Sequence, residues 1–269
     1  GASGAQLSAI DAANKSGSTV VASLTVVDTV AALDLANVSL KALLDASDAV
    51  TVHDAFTALN AAGADAIRAY ADSVIVDIAQ ADLAALAATA DVFKQEVTSI
   101  NVTTNLTVAD AANLAASTAF GSTATYNVSE SATTLLAPAN AAFVNGAANL
   151  IVTGNVTVAE AANLIGLANS GTLTYSVVDT AANIAGASDA VTAGATGALT
   201  LSGVDTVSPA QAATLADLNI AGTYNVSGTA AQLSAVDVSV LTDVNVGAVT
   251  VTDGGVVSQT VAALTEIFG

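Results

Sequence analysis

The sequence of 269 residues contains no cysteine, no methionine and no tryptophan, and aromatic residues make up 3% of it. The absence of cysteine excludes disulfides, a thiolate nucleophile and metal sites built on cysteine. Hydrophobic residues nevertheless make up 53% of the chain. A chain of this length is able to bury a large core, and that core must be built from alanine, valine and leucine.

Positive charge is almost missing. Four basic residues, the last of them Lys94, stand against 23 acidic ones, and the net charge is −19. Nucleic acids and anionic membrane surfaces are bound by basic surfaces, so the composition argues against both as partners. The acidic excess favours solubility and also leaves carboxylates free for cations. Solvation and specific cation binding both stay open at this point.

Long apolar runs are also missing. No stretch of 18 or more residues is free of polar interruption, so no transmembrane helix and no membrane insertion are predicted. The first residues, Gly1 to Gly4, show neither an initiator methionine nor a secretory signal. We therefore expect a processed or excised piece of a longer protein, with a cloning remnant at the start as the alternative.

Internal repetition is what the sequence has in abundance. The pattern Tyr-[Asn/Ser]-Val-x-x-x-Ala-x-x-[Leu/Ile] begins at Tyr126, Tyr175 and Tyr224, in two steps of 49 residues. A fixed period of this size is typical of a solenoid or another array. The residues around each tyrosine are rich in Val and Thr and follow a glycine, as in strands. We expect the three tyrosines to lie in one column.

The alanines of the tyrosine pattern are expected to face the sheet. Ala132, Ala181 and Ala230 each lie four residues after a strand valine and three residues before Leu or Ile. This spacing matches one face of a helix.

A second pattern alternates with the first. Thr-Val-Ala-[Asp/Glu]-Ala-Ala-Asn-Leu begins at Thr107 and at Thr157, and a related segment begins at Ser208. A hydroxyl residue followed three positions later by an acidic or amide residue is the capping-box signature of a helix start. Pro209, directly after the third cap, suits the first position of a helix. A strand-like run precedes each cap, at 99–102, 149–152 and 198–201.

The two patterns together predict an α/β fold, specifically an αβ-solenoid. Strand–helix half-repeats of about 25 residues, about 50 in a full repeat, place a parallel sheet on one face and short alanine-rich helices on the other. Residues 99–269 form the regular repeats. They include strands at 244–251 and a last helix at 257–268. The whole is expected to be a single continuous domain.

Residues 1–98 carry the repeat in a degenerate and more helical form, expected as a cap or an assembly surface. Leu24 stands where tyrosine would be, the run from Val74 is a weaker copy, Thr51 is in the cap position, and 55–70 is interpreted as a longer helix. A separate small helical domain is the alternative.

These two motifs resemble the Ala/Val/Thr/Asn-rich, lysine-poor repeat regions of very large bacterial cell-surface proteins. The resemblance covers roughly residues 99–235 well and the rest loosely. It implies a structural, self-assembling module of a surface layer, an extracellular filament or an adhesin stalk. Such a module would be extracellular or on the cell surface, would be non-catalytic, and would have copies of itself as partners.

Residues suited to catalysis are few. His53 is the single histidine, and its place after Thr51 predicts a surface or capping role at a helix start. The carboxylates of Asp110, Glu160 and Asp179 recur at cap positions, where helix ends favour negative charge. No catalytic residue and no enzyme activity are therefore expected.

Three aspartates are candidate calcium ligands. Asp205, Asp243 and Asp253 lie near Gly or Asn in predicted turns, although neither an EF-hand loop nor a glycine-rich nonapeptide is present. Calcium is the one cofactor that the sequence leaves open.

Two other functions remain as alternatives. A flat parallel sheet carrying threonines in rows, among them Thr125, Thr174, Thr200 and Thr250, suits binding of glycan or of ice. A carbohydrate-active enzyme on a solenoid scaffold is the more remote alternative. Such an enzyme needs clustered carboxylates with basic or aromatic neighbours, and no basic residue follows Lys94.

Overall fold

The structure is a computed structural model that describes residues 6, 9, 25–33, 49–62, 67, 71–88, 97–117, 123–169 and 171–257. The chain divides into two compact parts, Gly1–Val128 and Ser129–Gly269, and each part is described by itself. The predicted boundary at residue 98 concerns how regular the sequence repeats are, and it stays a prediction.

The described strands follow one another along both parts. They are β1 (Thr25–Asp28), β2 (Ala49–Ala55), β3 (Ser73–Ile78), β4 (Val97–Val102), β5 (Thr123–Thr125), β6 (Asn127–Glu130), β7 (Asn149–Val156), β8 (Thr172–Asp179), β9 (Leu199–Leu201), β10 (Thr206–Val207), β11 (Ile220–Ala221), β12 (Tyr224–Gly228) and β13 (Val246–Val251).

Short helices alternate with the strands. The α-helices are α1 (Val30–Leu33), α2 (Phe56–Ala62), α3 (Leu83–Ala88), α4 (Val108–Ser117), α5 (Ala132–Leu135), α6 (Ala141–Gly146), α7 (Val158–Ile165), α8 (Ala181–Ala185), α9 (Asp189–Gly194), α10 (Pro209–Ala216), α11 (Ala230–Ser234) and α12 (Val238–Leu241), and two 3₁₀ turns lie at Gln80–Asp82 and Pro138–Asn140.

The sheets are parallel. One has the order β1-β2-β3-β4-β5, a second β6-β7-β8-β9-β11, and a third β10-β12-β13. Strands that pair belong to successive strand–helix units. Paired residues are 24 positions apart at Thr25 and Ala49 and 19 apart at Thr206 and Asn225. The predicted α/β class, with parallel strands and short helices, is therefore confirmed.

The predicted helix starts are also confirmed. Thr157 accepts a hydrogen bond from the Glu160 backbone N–H, and the Glu160 carboxylate accepts one from the Thr157 backbone N–H. These two bonds satisfy donors that a helix cannot pair internally. The same reciprocal pair joins Thr107 with Asp110, Ser208 with Gln211 and Thr229 with Gln232.

The core lies between strand and helix within each unit. In β8 burial alternates, with Tyr175, Val177 and Asp179 inward, as expected when one face of a strand is covered. The following helix α8 buries Ala181 and Ile184. Ala132, Ala181 and Ala230 are exposed by 6%, 0% and 7%, so the alanines of the tyrosine pattern face the interior as predicted.

Tyr175 and Tyr224 are the largest fully buried side chains in the described residues. Both side chains face the interior from their strands, as they must if the tyrosines share one column. Tyr126 belongs to the other part of the chain and is half-buried, so the three-residue column stays a prediction.

The capping role predicted for Thr51, with His53 at a helix start, is wrong. Both residues lie inside β2, where Val50 and Val52 are buried at period two. Thr51 and His53 pair with Ser73 and Ile75 of β3. The alternating valines and the cross-strand pairing outweigh a hydroxyl–x–x–acid pattern that has the form of a cap.

The remaining terminal predictions fall largely outside the described residues. Helix α2 runs from Phe56 to Ala62, so the predicted helix at 55–70 is described only in part, since 63–66 and 68–70 are not described. Leu24 and the predicted last helix at 257–268 also lie outside, except for Val257, which is not helical.

We predict that Ala181→Leu lowers the free energy of unfolding by about 1–3 kcal/mol, because added methylenes overpack a site with no free volume. Ala182→Leu is the matched control, since Ala182 is exposed on the same helix. Urea unfolding of both variants checks this. Equal midpoints for the two would contradict the tight packing of Ala181.

Candidate functional site

Aspartates at the ends of strands bind the first amides of helices in the preceding strand–helix unit. Asp179 ends β8, and its Oδ2 accepts a hydrogen bond of 2.9 Å from the N–H of Val158, the first residue of α7. Three further carboxylates make the equivalent bond: Asp54 with Val30 N–H at 3.1 Å, Asp205 with Ala181 N–H at 2.8 Å, and Asp253 with Ala230 N–H at 3.1 Å.

A carboxylate is well suited to this position. The first amides of a helix have no acceptor within the helix, and the helix dipole favours negative charge there. The unit's own Thr or Ser accepts from the third helical residue, as Thr180 does from Asn183 N–H at 3.2 Å. The next unit's aspartate accepts from the first helical residue. The starts of α1, α7, α8 and α11 are therefore completed by two successive units.

Asp179 also holds its own unit in place. Its Oδ1 accepts from the N–H of Thr180 at 2.7 Å and from Nδ2 of Asn183 at 2.8 Å. Burial raises the pKa of Asp179, but the hydrogen bonds from Asn183, Val158 and Thr180 outweigh it, so the pKa is lowered overall. Asp179 is the one buried charged residue of the described chain.

Asparagines join neighbouring units at the opposite ends of the strands. Asn169 Nδ2 donates to the carbonyl oxygens of Val144 and Ala147. Asn245 Nδ2 donates in the same way to Gly222 O at 2.7 Å and to Ile220 O at 3.4 Å. These side-chain amides thus bind backbone carbonyl oxygens of the preceding unit.

The candidate calcium ligands have structural partners. Asp205 and Asp253 are two of the carboxylates that cap a preceding helix, and Asp243 accepts from the N–H of Asn245 at 2.9 Å. Within the described ranges, no three acidic or histidine side chains are grouped so as to hold a metal ion. Calcium binding stays a prediction.

His53 pairs with an aspartate on the neighbouring strand. Its Nε2 lies 3.1 Å from Oδ1 of Asp77 in β3, and the two side chains are 38% and 35% exposed. Thr51, two residues before His53, and Ser73, four residues before Asp77, share a hydrogen bond of 2.7 Å with each other. In the described chain, the hydrogen bond of His53 goes to a carboxylate and not to a hydroxyl, so no nucleophile–histidine pair forms.

A small cavity lies beside Tyr175. It has a volume of about 200 Å³ and is lined mostly by aliphatic residues, among them Leu150, Leu164 and Leu173. Its polar groups are already engaged, since Tyr175 Oη donates to Val191 O at 2.9 Å. A cavity of this size is below the usual range for ligand sites.

Tyr224 differs from Tyr175 in one respect. Its hydroxyl is buried and has no hydrogen-bond partner in the described structure. Burial, together with the negative charge of Asp243, raises the pKa of Tyr224 to about 12. The phenol is therefore neutral at physiological pH.

Comparison with models of known protein families, with curated proteins and with solved structures finds no match to this chain. No helix in the described part of the chain has the length and apolar character needed to cross a membrane.

The candidate site is thus an arrangement of polar groups that bind backbone. The repeat patterns predicted the caps within each unit, but the bonds between units were missed. Their signal in the sequence is weak, because among these four aspartates only Asp179 lies directly before a threonine cap, at Asp179–Thr180. That signal has a second interpretation as a simple turn, and only the parallel register shows which helix lies within reach.

We predict that Asp179→Asn destabilises the protein by about 1–3 kcal/mol at neutral pH, because backbone donors lose a charged acceptor. The lowered pKa means that this stabilisation is present above the ordinary value of 3.8 and is lost as pH falls through the folded-state pKa. The stability gap between parent and variant should therefore narrow at acid pH.

Urea unfolding from pH 7 downward measures this gap. Asp189→Asn is the matched control, since it removes the same charge from an exposed position in α9. A gap that stays constant below pH 4 would contradict the argument.

We predict opposite effects for the two buried tyrosines. Tyr224→Phe removes an unpaired buried hydroxyl and should leave stability unchanged or raise it. Tyr175→Phe removes a made hydrogen bond and should lower stability by about 0.5–1.5 kcal/mol. Thermal unfolding of the two variants side by side checks the order. Equal losses would show that Tyr224 has an acceptor.

Proposed function

We propose that this chain is a structural, self-assembling and non-catalytic module of a bacterial cell-surface or extracellular protein, of the kind found in surface layers, filaments or adhesin stalks. Its strand–helix units are the coils of an αβ-solenoid, with a parallel sheet on one face and short alanine-rich helices on the other.

The observation that supports this best is the use of polar side chains between units. Asp54, Asp179, Asp205 and Asp253 each bind a helix start of the unit before. In a catalytic site, carboxylates are aimed at a substrate and have perturbed chemistry. Here the carboxylates accept hydrogen bonds from backbone amides, as expected of a protein whose function is to extend a regular stack.

The acidic surface suits a module that assembles in salt water with divalent cations. At a net charge of −19, copies repel one another at low ionic strength. Calcium takes six to eight oxygen ligands in flexible geometry, so it is able to bridge carboxylates of two copies without a preformed site in either one. In this proposal calcium acts between copies.

Light scattering and negative-stain imaging at fixed ionic strength test the proposal. We predict large assemblies in calcium, their dissolution by chelator, and weaker assembly in magnesium, which holds its waters more tightly. A protein that stays monomeric at high concentration in all three conditions would overturn self-assembly. Equal assembly in magnesium and calcium would overturn calcium bridging and leave charge screening as the cause.

A second candidate function is binding of glycan or ice by the sheet. The observation that favours it is a set of small polar residues paired across outward-facing positions, such as Asn155 with Ser176 and Ser227 with Thr250. Ice crystals grown with the protein, viewed under a microscope, decide this quickly. Unshaped crystals and an empty glycan array would remove this candidate.

A further inference from the structure

The last described strand, β13, has an open edge. It pairs with β12 on one side, and no described strand lies on its other side. The register places Val249 opposite Val226 and Val251 opposite Gly228. Val226 is fully buried, whereas Val249 and Val251 are 39% and 36% exposed. The inward-facing valines of this strand are therefore only half covered.

Apart from the irregular pairing at Gly247, nothing in the sequence of β13 protects this edge. Natural proteins protect edge strands with charged residues, especially lysine, or with proline, and these residues prevent another strand from pairing. The strand Val246–Val251 reads Val-Gly-Ala-Val-Thr-Val and carries none of these. The strand itself thus adds no charge to the repulsion between copies that each have a net charge of −19.

The sequence around β13 matches the sequence around β1. Ala-Gln-Leu-Ser-Ala-[Ile/Val]-Asp occurs at 5–11 and at 231–237. β1 is the first described strand after the copy at 5–11, and β13 is the first described strand after the copy at 231–237. On its far side β1 carries the parallel strand β2, and Val26 of β1 is 1% exposed. By analogy with β1, we therefore expect a further parallel strand to cover β13.

We propose that the β13 edge is the docking surface for a second copy of this chain, which adds its β1 strand in parallel and continues the ladder. This inference rests on the proposed self-assembly and names the surface that carries it. The two surfaces in contact are different, so the contact is heterologous and leads to an open chain of copies.

The register of the contact follows from the threonine that comes directly after each strand. Thr229 caps α11, and Thr252 lies one position beyond the pair Gly228 and Val251, where its N–H donates to Gly228 O at 3.0 Å. Thr252 therefore lies directly after β13, as Thr229 lies directly after β12. In the second copy that position is held by Thr29, which accepts from Ala32 N–H at 3.2 Å.

Aligning Thr29 of the second copy with Thr252 places Val26 over Val249 and Val27 beside Thr250. Val26 then covers an inward valine that is now half exposed. Val27, which is 44% exposed, lies on the outward face of the ladder together with Thr250.

The first test blocks the edge with charge. Val249→Lys should keep the protein monomeric under conditions where the parent assembles, because a lysine at an edge strand prevents pairing. Thr153→Lys, at an exposed position of β7, makes the same change of charge and should assemble like the parent. Both variants should unfold at the parent's temperature.

The outcomes separate the two proposals. If the parent assembles and Val249→Lys assembles equally well, the edge proposal is overturned while self-assembly stands. If the parent itself never assembles, self-assembly fails and the edge proposal fails with it.

The second test uses the absence of cysteine in the chain, and it holds even if Val249→Lys does not fold. Thr250→Cys and Val27→Cys proteins are mixed under mild oxidation and analysed by intact mass. Neighbouring parallel strands bring Cα atoms within disulfide range, so mixed dimers should exceed those formed by Thr153→Cys with Val27→Cys. A predominance of Thr250→Cys homodimers, or mixed dimers at the control level, would overturn the head-to-tail contact.

Discussion

The constraint on which the rest of this structure depends is that the first amides of a helix have no acceptor inside the helix. The helices are four to ten residues long, so their unpaired ends make up a large share of each one. A short helix is marginal in isolation. Here the unit's own Thr or Ser satisfies one amide, and the next unit's aspartate satisfies another, as Asp205 does for Ala181.

The composition fits this constraint. An alanine such as Ala161, fully buried in α7, lets a short helix approach the sheet without large side chains between them. Among the described residues, the largest fully buried side chains are Tyr175 and Tyr224. The scarcity of aromatic residues and the short helices packed against the sheets are thus two aspects of one packing arrangement.

The parts of the fold that could be predicted from the sequence are those with a local cause. The capping boxes at Thr157 and Ser208 and the strands that precede them follow from patterns within a few residues. Thr51 shows the limit of this reasoning, because its apparent cap is overridden by the pairing of β2 with β3.

The bonds between units could not be predicted in the same way. Whether Asp179 binds a turn or the helix start at Val158 depends on parallel register across 21 residues of chain. The unpaired hydroxyl of Tyr224 depends on a long-range feature too, since the same residue type at Tyr175 finds the carbonyl of Val191. Local patterns carry no information about such distant partners.

The carboxylate bonds between units all run in one direction, from a later unit back to an earlier helix. Removing a unit from the C-terminal side takes away the carboxylate that accepts from the first amide of the previous helix. Removing one from the N-terminal side frees a carboxylate, which water readily solvates. The two ends of a run of such units are therefore not equivalent. Loss of the last unit uncaps the helix of the unit before it, whereas loss of the first unit leaves the remaining helix caps in place.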